Sequence, residues 1–128
     1  MKMIKSASEF IRLRNENDPR ATHEEAPEDV WMELLRIHPD YREWVALNKT
    51  VPLPVLKLLA ADSDAKIRFI VAMKRKCDHD LFQLLANDQD ETVRTRVACN
   101  PNAPNDVLQQ LKADSSALVR EALKSRAY

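Results

Sequence analysis

The tetrapeptide Cys77-Asp78-His79-Asp80 places a thiol, an imidazole and two carboxylates side by side. Such groups bind Zn²⁺ or activate a nucleophile when a fold brings three or four of them together. The other cysteine, Cys99, lies well beyond this tetrapeptide, and no CxxC pair or spacing typical of nucleophilic catalysis occurs. We therefore interpret the tetrapeptide as a helix start and expect two reduced thiols, no metal, no cofactor and no enzymatic activity.

The composition restricts the classes of function. Lys plus Arg total 20 and Asp plus Glu total 20, so the net charge gives no reason to expect binding to nucleic acid or to an anionic membrane. Glycine is absent, which excludes Gly-rich phosphate loops. No apolar run reaches the length of a signal-peptide core or a membrane span. We expect a cytoplasmic protein with a single domain over residues 1–128.

Two charged residue types recur at one fixed interval along the chain. The Asp column comprises Asp62, Asp88 and Asp114, and the Arg column comprises Arg42, Arg68, Arg94 and Arg120. The interval from each member to the next is the same in both columns, and it falls in the range that is typical of stacked repeat architectures. This period predicts an N-terminal cap and four repeats, with the boundaries 1–26, 27–50, 51–76, 77–102 and 103–128.

The apolar pattern within each repeat predicts two short helices. In the second repeat, Val55 and Leu59 stand at helical spacing in the first half, and Ile67, Ile70 and Val71 do so in the second half. Strict alternation of apolar and polar residues is missing, so strands are not expected. The fold class predicted from this pattern is all-α.

The segments outside this pattern predict the ends of helices. Residues 7–16 form a predicted capping helix, with Ser6 or Ser8 as its N-cap. The apolar residues expected to face inward are Phe10, Ile11 and Leu13. Because the chain has no glycine, we expect Asn48 and Asn100 to act as left-handed C-caps.

The repeat sequences resemble a known group of proteins. The chain resembles bacterial leucine-rich-repeat-variant and short HEAT-repeat sequences over residues 27–126, in the segments REWVALNKTVP, LLAADSDAKIRFIVA and LLANDQDETVRTRVACNPNAPNDVLQQL. The resemblance implies an α-solenoid of about four helix pairs whose second helices line a concave face, and it implies no single activity. One relative is associated with an iron–sulfur cluster bound by clustered cysteines, which this chain lacks.

The Asp and Arg columns have two interpretations. They could form a charged ladder that binds an anionic ligand, or a structural ladder between repeats. We favour the structural ladder, because an Asp in a turn can accept backbone N–H bonds at the next helix start. An Arg one helical turn further on can bond that Asp or a carbonyl of the adjoining repeat, so stacking alone explains the repetition.

The concave face is the predicted site of function. The residues expected to contact a protein partner there are Trp44, Leu47, Phe69, Met73, Lys74, Arg75, Arg96 and Cys99. They combine aromatic and aliphatic anchors with a basic rim, which is typical of a protein interface. We predict a non-catalytic protein-binding module, a monomer or weak oligomer, whose partner the sequence does not identify.

Three other functions stay open at this stage. The chain could be a toxin-neutralising immunity-type inhibitor, a plain structural module, or a HEAT-like nucleic-acid-binding protein of the DNA-glycosylase type. The last alternative requires a continuous basic groove. Few basic residues lie on the predicted concave face, so nucleic acid is not the expected partner.

Overall fold

The computed structural model describes residues 3–126 as an all-helical chain. This range contains ten α-helices, one short 3-10 helix at Pro39–Tyr41, and no strand, so the predicted all-α class is confirmed. The helices are α1 (Ala7–Asn15), α2 (Arg20–His23), α3 (Glu28–Ile37), α4 (Arg42–Leu47), α5 (Leu53–Leu59), α6 (Ala65–Ala72), α7 (His79–Ala86), α8 (Glu91–Cys99), α9 (Asn105–Leu111) and α10 (Ala117–Lys124). Across this range, none of the helices has both the length and the apolar content needed to cross a membrane.

The chain divides into two compact units, residues 1–59 and 60–128, called unit 1 and unit 2 below. Unit 1 contains α1 to α5, and unit 2 contains α6 to α10. The division falls between the two helices predicted for the repeat at 51–76.

Unit 1 packs around α3, which contacts α1, α4 and α5. Its centre is the pair of Trp31 and Phe10, whose rings meet edge to face with centroids 5.4 Å apart. Of the three residues of α1 expected to face inward, Phe10 and Leu13 are buried and Ile11 is partly exposed. The N-cap of α1 is Ser6, whose hydroxyl accepts a bond from the Glu9 N–H.

The ends of several helices differ from the sequence-based expectation. The left-handed caps predicted at Asn48 and Asn100 are wrong, because their φ angles are −64° and −75°. Asn17, after α1, is instead the non-glycine residue with a positive φ, at 56°, within residues 3–126. The short helix α2 was not predicted, because it is too short to show an apolar period.

Unit 2 is built from helices that recur at the sequence period. Helices α6, α8 and α10 begin at Ala65, Glu91 and Ala117, which have the same spacing as the Arg column, and α8 packs beside both α6 and α10. Helix α7 packs beside α9 in the same way. Aspartates cap three helix starts, because side chains at 64, 78 and 90 accept bonds from N–H groups in the first turns of α6, α7 and α8. This capping defines where each helix begins.

Candidate functional site

The Asp and Arg columns meet in unit 2 as paired side chains. The Arg68 guanidinium donates from Nε to Asp88 Oδ2 at 2.8 Å and from Nη2 to Asp88 Oδ1 at 3.2 Å, while its Nη1 donates to the Asp62 carbonyl at 2.7 Å. Arg94 makes the same contacts one period later, to Asp114 at 2.9 and 3.2 Å and to the Asp88 carbonyl at 2.6 Å. Each Arg therefore binds the Asp of its own turn, through the backbone carbonyl, and also the carboxylate of the next turn, which the sequence did not predict.

The same carboxylates also order their own turns. Asp88 Oδ1 accepts the Asp90 N–H at 2.9 Å, and Asp114 Oδ1 accepts the Ser116 N–H at 2.9 Å. One aspartate thus fixes a turn and receives a guanidinium from the preceding helix pair. These contacts account for the repetition of Asp and Arg in unit 2 without a ligand.

The two ion pairs, Arg68–Asp88 and Arg94–Asp114, are largely shielded from solvent. The side chains of Asp88 and Asp114 are each only 8% exposed. The hydrogen bond to Asp88 raises the pKa of Arg68 despite burial. Burial acts to raise the pKa of Asp114, but the hydrogen bonds from Arg94 and Ser116 outweigh it, so this pKa lies below its usual value. Arg68 and Asp114 therefore stay charged at neutral pH.

The two ends of the Arg column make different contacts. Arg42, in unit 1, donates from Nε to the Leu35 carbonyl at 3.2 Å. Arg120, in unit 2, donates from Nη1 to the Asp114 carbonyl at 2.5 Å, which is the contact that Arg68 and Arg94 make with their own turns. Within unit 2, Arg68, Arg94 and Arg120 therefore each bind the carbonyl of the aspartate in their own turn.

A second set of repeated contacts was missed by the sequence analysis. Asn100 is fully buried, and its Nδ2 donates to the carbonyls of Ala72 at 2.9 Å and Lys74 at 3.0 Å. One period later, Arg126 Nη1 donates to the carbonyls of Ala98 at 2.6 Å and Asn100 at 2.8 Å. Both side chains satisfy carbonyls at the end of the preceding second helix, which have no partner within their own helix.

Unit 1 contains the same device. Asn48 is fully buried, and its Nδ2 donates to the carbonyls of Ala21 at 2.8 Å and Glu24 at 3.1 Å. Asn100 lies two periods after Asn48, and Arg126 lies one period further on. This spacing could have predicted the contacts, but Asn48 and Asn100 were interpreted as C-caps in a chain without glycine.

The tetrapeptide with metal-binding residue types is dispersed by its local structure. Cys77 is buried with its thiol 3.3 Å from the Val71 carbonyl, and Asp78 caps α7. His79 Nε2 lies 2.7 Å from Asp106 Oδ2 on the surface, and this hydrogen bond raises the pKa of His79. Within residues 3–126, no three His, Cys, Asp or Glu side chains are placed to hold a metal ion.

The two cysteines are expected to differ in reactivity. Burial raises the pKa of Cys77 to about 11, so at about pH 8 only about a thousandth of this thiol is the nucleophilic thiolate. Cys99 is exposed. Titration of the native chain with a disulfide reagent is expected to consume about one equivalent, and the Cys99→Ser variant about none. Two fast-reacting thiols in the native chain would contradict the buried position of Cys77.

Four of the predicted partner-binding residues share neighbouring helices in unit 2. On α6 and at its end, Phe69 is half-buried and Met73 is 45% exposed. On α8, Arg96 is partly exposed and Cys99 is exposed. A cleft of about 420 Å³ opens beside Cys99 toward α10. We call Phe69, Met73, Arg96 and Cys99 the α6/α8 face.

One polar atom on the α6/α8 face has no partner. The Nε atom of Arg96 is buried and makes no hydrogen bond within residues 3–126. The adjoining Lys74 is partly exposed and Arg75 is exposed, so positive charge borders the apolar residues. The face thus combines apolar surface with a donor that lacks an acceptor.

Trp44 and Leu47, also predicted to bind a partner, belong to unit 1 and are partly exposed. The guanidinium carbon of Arg14 lies 3.3 Å from the centroid of the Trp44 ring. This cation–π contact covers one face of the ring, and the sequence analysis did not anticipate it. A cleft of about 180 Å³ lies beside the Trp44 ring and Arg14.

Comparison with known proteins gives no match. No protein-family model, no curated protein and no solved structure matches this chain. What the chain does has to be inferred from its own residues and contacts.

Proposed function

We propose that the chain is a non-catalytic protein-binding module built as an α-solenoid of the HEAT-like or leucine-rich-repeat-variant kind. Three features of unit 2 support this arrangement: helix starts spaced at the sequence period, second helices side by side, and guanidinium–carboxylate pairs that join successive helix pairs. Repeat proteins of this kind bind partners on an extended concave surface, which we propose is formed here by the second helices.

The α6/α8 face carries the proposal. Protein interfaces concentrate their binding energy in a few apolar and Arg side chains at the centre of a patch. Met73 and Cys99 expose apolar surface, Phe69 is accessible in part, and Arg96 holds a buried Nε without an acceptor. The partly exposed Arg96 side chain also offers a cation that a carboxylate of a partner can bind.

The charges around this face select the chemistry of the partner. Lys74 and Arg75 lie at its edge, so a protein with acidic residues around an apolar anchor fits best. Arg68 and Arg94, which a nucleic-acid-binding groove would need, are already paired with buried carboxylates. An immunity-type inhibitor that clasps a toxin is one instance of the proposed function.

The chemically reactive side chains of unit 2 support a non-catalytic role. Asp88 and Asp114 serve the ladder, Asp78 caps a helix, and burial keeps the Cys77 thiol protonated. We also propose a cytoplasmic location, supported by the two free thiols.

The test compares partners captured by three forms of the chain from its native cell extract. Wild type and the matched control Leu84→Asp, at a 54% exposed site of α7, are expected to hold the same stoichiometric protein. The double variant Met73→Asp/Cys99→Asp is expected to bind that protein about tenfold more weakly or worse, because two charges enter the apolar patch.

Thermal unfolding of all three forms checks that the substitutions leave the fold intact. Capture of nucleic acid in place of a protein, or equal binding by wild type and the double variant, would overturn the proposal.

A further inference from the structure

A groove lies between α9 and α10 in unit 2. Its volume is about 490 Å³, and Leu108 and Leu123 form its apolar part. Lys112, Arg120 and Lys124 contribute three positive charges, and none of the described residues that line it is acidic. Lys124 also pairs with the neighbouring Glu121 at 3.3 Å, in an exposed contact that contributes little. The groove therefore favours an occupant that is apolar in the middle and negatively charged around it.

The repeat period shows what this groove is equivalent to. One period before the two leucines and the two lysines lie Phe82, Ala86, Val97 and Ala98. Those four residues are at most 2% exposed, and their helices α7 and α8 pack against α9 and α10 respectively. The groove is thus the counterpart of a surface that, one step earlier, is covered by a helix pair. In the groove, Lys112 and Lys124 stand where the earlier surface has Ala86 and Ala98.

Arg120 shows which group the occupant would supply. Arg68 and Arg94 each bind the carbonyl of their own turn and, with two further N–H groups, the carboxylate of the next turn. Arg120 makes the carbonyl contact with Asp114, but no carboxylate within residues 3–126 pairs with it. Its Nε and Nη2 are the donors that bind an aspartate elsewhere in the ladder.

We propose that the α9/α10 groove binds a helical hairpin of another polypeptide through an aspartate in the turn between its helices. That carboxylate pairs with Arg120 as Asp114 pairs with Arg94, and an apolar side chain of the hairpin covers the partly exposed Leu108. Further acidic residues of the partner meet Lys112 and Lys124.

A second copy of this chain fits the groove less well than a different polypeptide. Of the three aspartates in the Asp column, Asp88 and Asp114 are held by Arg68 and Arg94, and Asp62 also has a partner, so none is available to Arg120 of another molecule. The α9/α10 groove is also separate from the α6/α8 face, so this proposal goes beyond the proposed function.

The probe is a labelled synthetic peptide with the sequence of residues 77–102, because its hairpin carries the turn of Asp88. It has Ser at both Cys positions and a hydrocarbon staple within each helix, which keeps these short helices folded in isolation. Fluorescence anisotropy with the full chain is expected to show saturable binding. Arg120→Met in the chain and Asp88→Asn in the peptide are each expected to weaken it about tenfold or more.

Three variants make the result interpretable. Lys112→Ala/Lys124→Ala, which restores the residues found one period earlier, is expected to weaken binding and to make it less sensitive to salt than in wild type. Arg36→Met, at an exposed site of unit 1, is expected to bind as wild type does. Met73→Asp/Cys99→Asp is also expected to bind the peptide normally, so failure here and failure of the α6/α8 face are distinguishable.

The outcomes that overturn the proposal are equally definite. Absence of saturable binding at millimolar peptide, or equal binding by wild type and Arg120→Met, would show that the ladder chemistry does not operate in the groove. Sedimentation equilibrium of the full chain tests whether a second copy occupies the groove. A dimer that Arg120→Met abolishes would assign the groove to that second copy.

Discussion

Arg94→Met is expected to lower the free energy of unfolding by about 3 kcal/mol or more, because it leaves the buried Asp114 carboxylate without its cation. The substitution keeps much of the length of the side chain and removes its three hydrogen bonds, two to Asp114 and one to the Asp88 carbonyl. Urea unfolding at neutral pH measures the change.

The matched control is Arg120→Met, in the same column one period later. Arg120 makes the corresponding carbonyl contact with Asp114 and no ion pair within residues 3–126. Its removal is expected to lower the free energy of unfolding by about 1 kcal/mol, the net contribution of one hydrogen bond. Equal losses in the two variants would show that the guanidinium–carboxylate pair contributes nothing beyond its carbonyl contact.

Arg94→Met is also expected to change how the free energy of unfolding depends on pH. Because the pKa of Asp114 is lowered in the folded chain, its contribution is fully present above the unfolded pKa of about 3.9 and is lost as the pH falls through the lower folded value. Arg94→Met removes a bond that lowers this pKa and leaves burial, which raises it. Protonation of Asp114 relieves an unpaired charge in the variant but breaks an ion pair in wild type, so acid is expected to remove less stability from the variant. In urea unfolding at a series of pH values, the gap between the two free energies of unfolding should therefore narrow as the pH falls below about 4.

Local patterns explain what could be predicted from the sequence. The helices of unit 2 were predictable because apolar spacing depends only on neighbours along the chain, and the ladder was visible because each repeat copies the same residues. Which atoms the Arg binds was not predictable. Arg68 reaches ahead to Asp88 in the next repeat because α6 and α8 pack together, and no local pattern encodes that packing.

The features that were not predicted also depend on packing between segments that are distant in the sequence. Asn48 and Asn100 follow helix ends, where a left-handed cap is the usual solution, but an extended backbone with a buried amide satisfies the carbonyls of another helix instead. The contact of Arg14 with Trp44 lies outside the repeated positions, so no column revealed it. A repeated sequence pattern predicts contacts that recur in each repeat and does not predict contacts that occur once.

Asn100→Ala is the second variant with a large expected effect, a loss of about 3 kcal/mol in the free energy of unfolding. The Asn100 amide donates to the carbonyls of Ala72 and Lys74, and its Oδ1 accepts the Asn102 N–H. The Lys74 carbonyl also accepts the Cys77 N–H at 3.5 Å, so the Ala72 carbonyl and the Asn102 N–H lose most. Each buried polar group left without a partner costs about 1 to 3 kcal/mol. Urea unfolding at neutral pH, with an unchanged helical circular dichroism spectrum before the transition, measures this loss.

Arg126→Ala provides the comparison, because Arg126 bridges the equivalent carbonyls of Ala98 and Asn100 from a partly exposed position. Water can replace a donor there, so this loss is expected to be about 1 kcal/mol. The difference between the two variants then measures what burial adds to the same pair of hydrogen bonds. A small effect at Asn100 would mean that water reaches the end of α6, and the repeated Asn48 and Asn100 would then have no role in joining the helices.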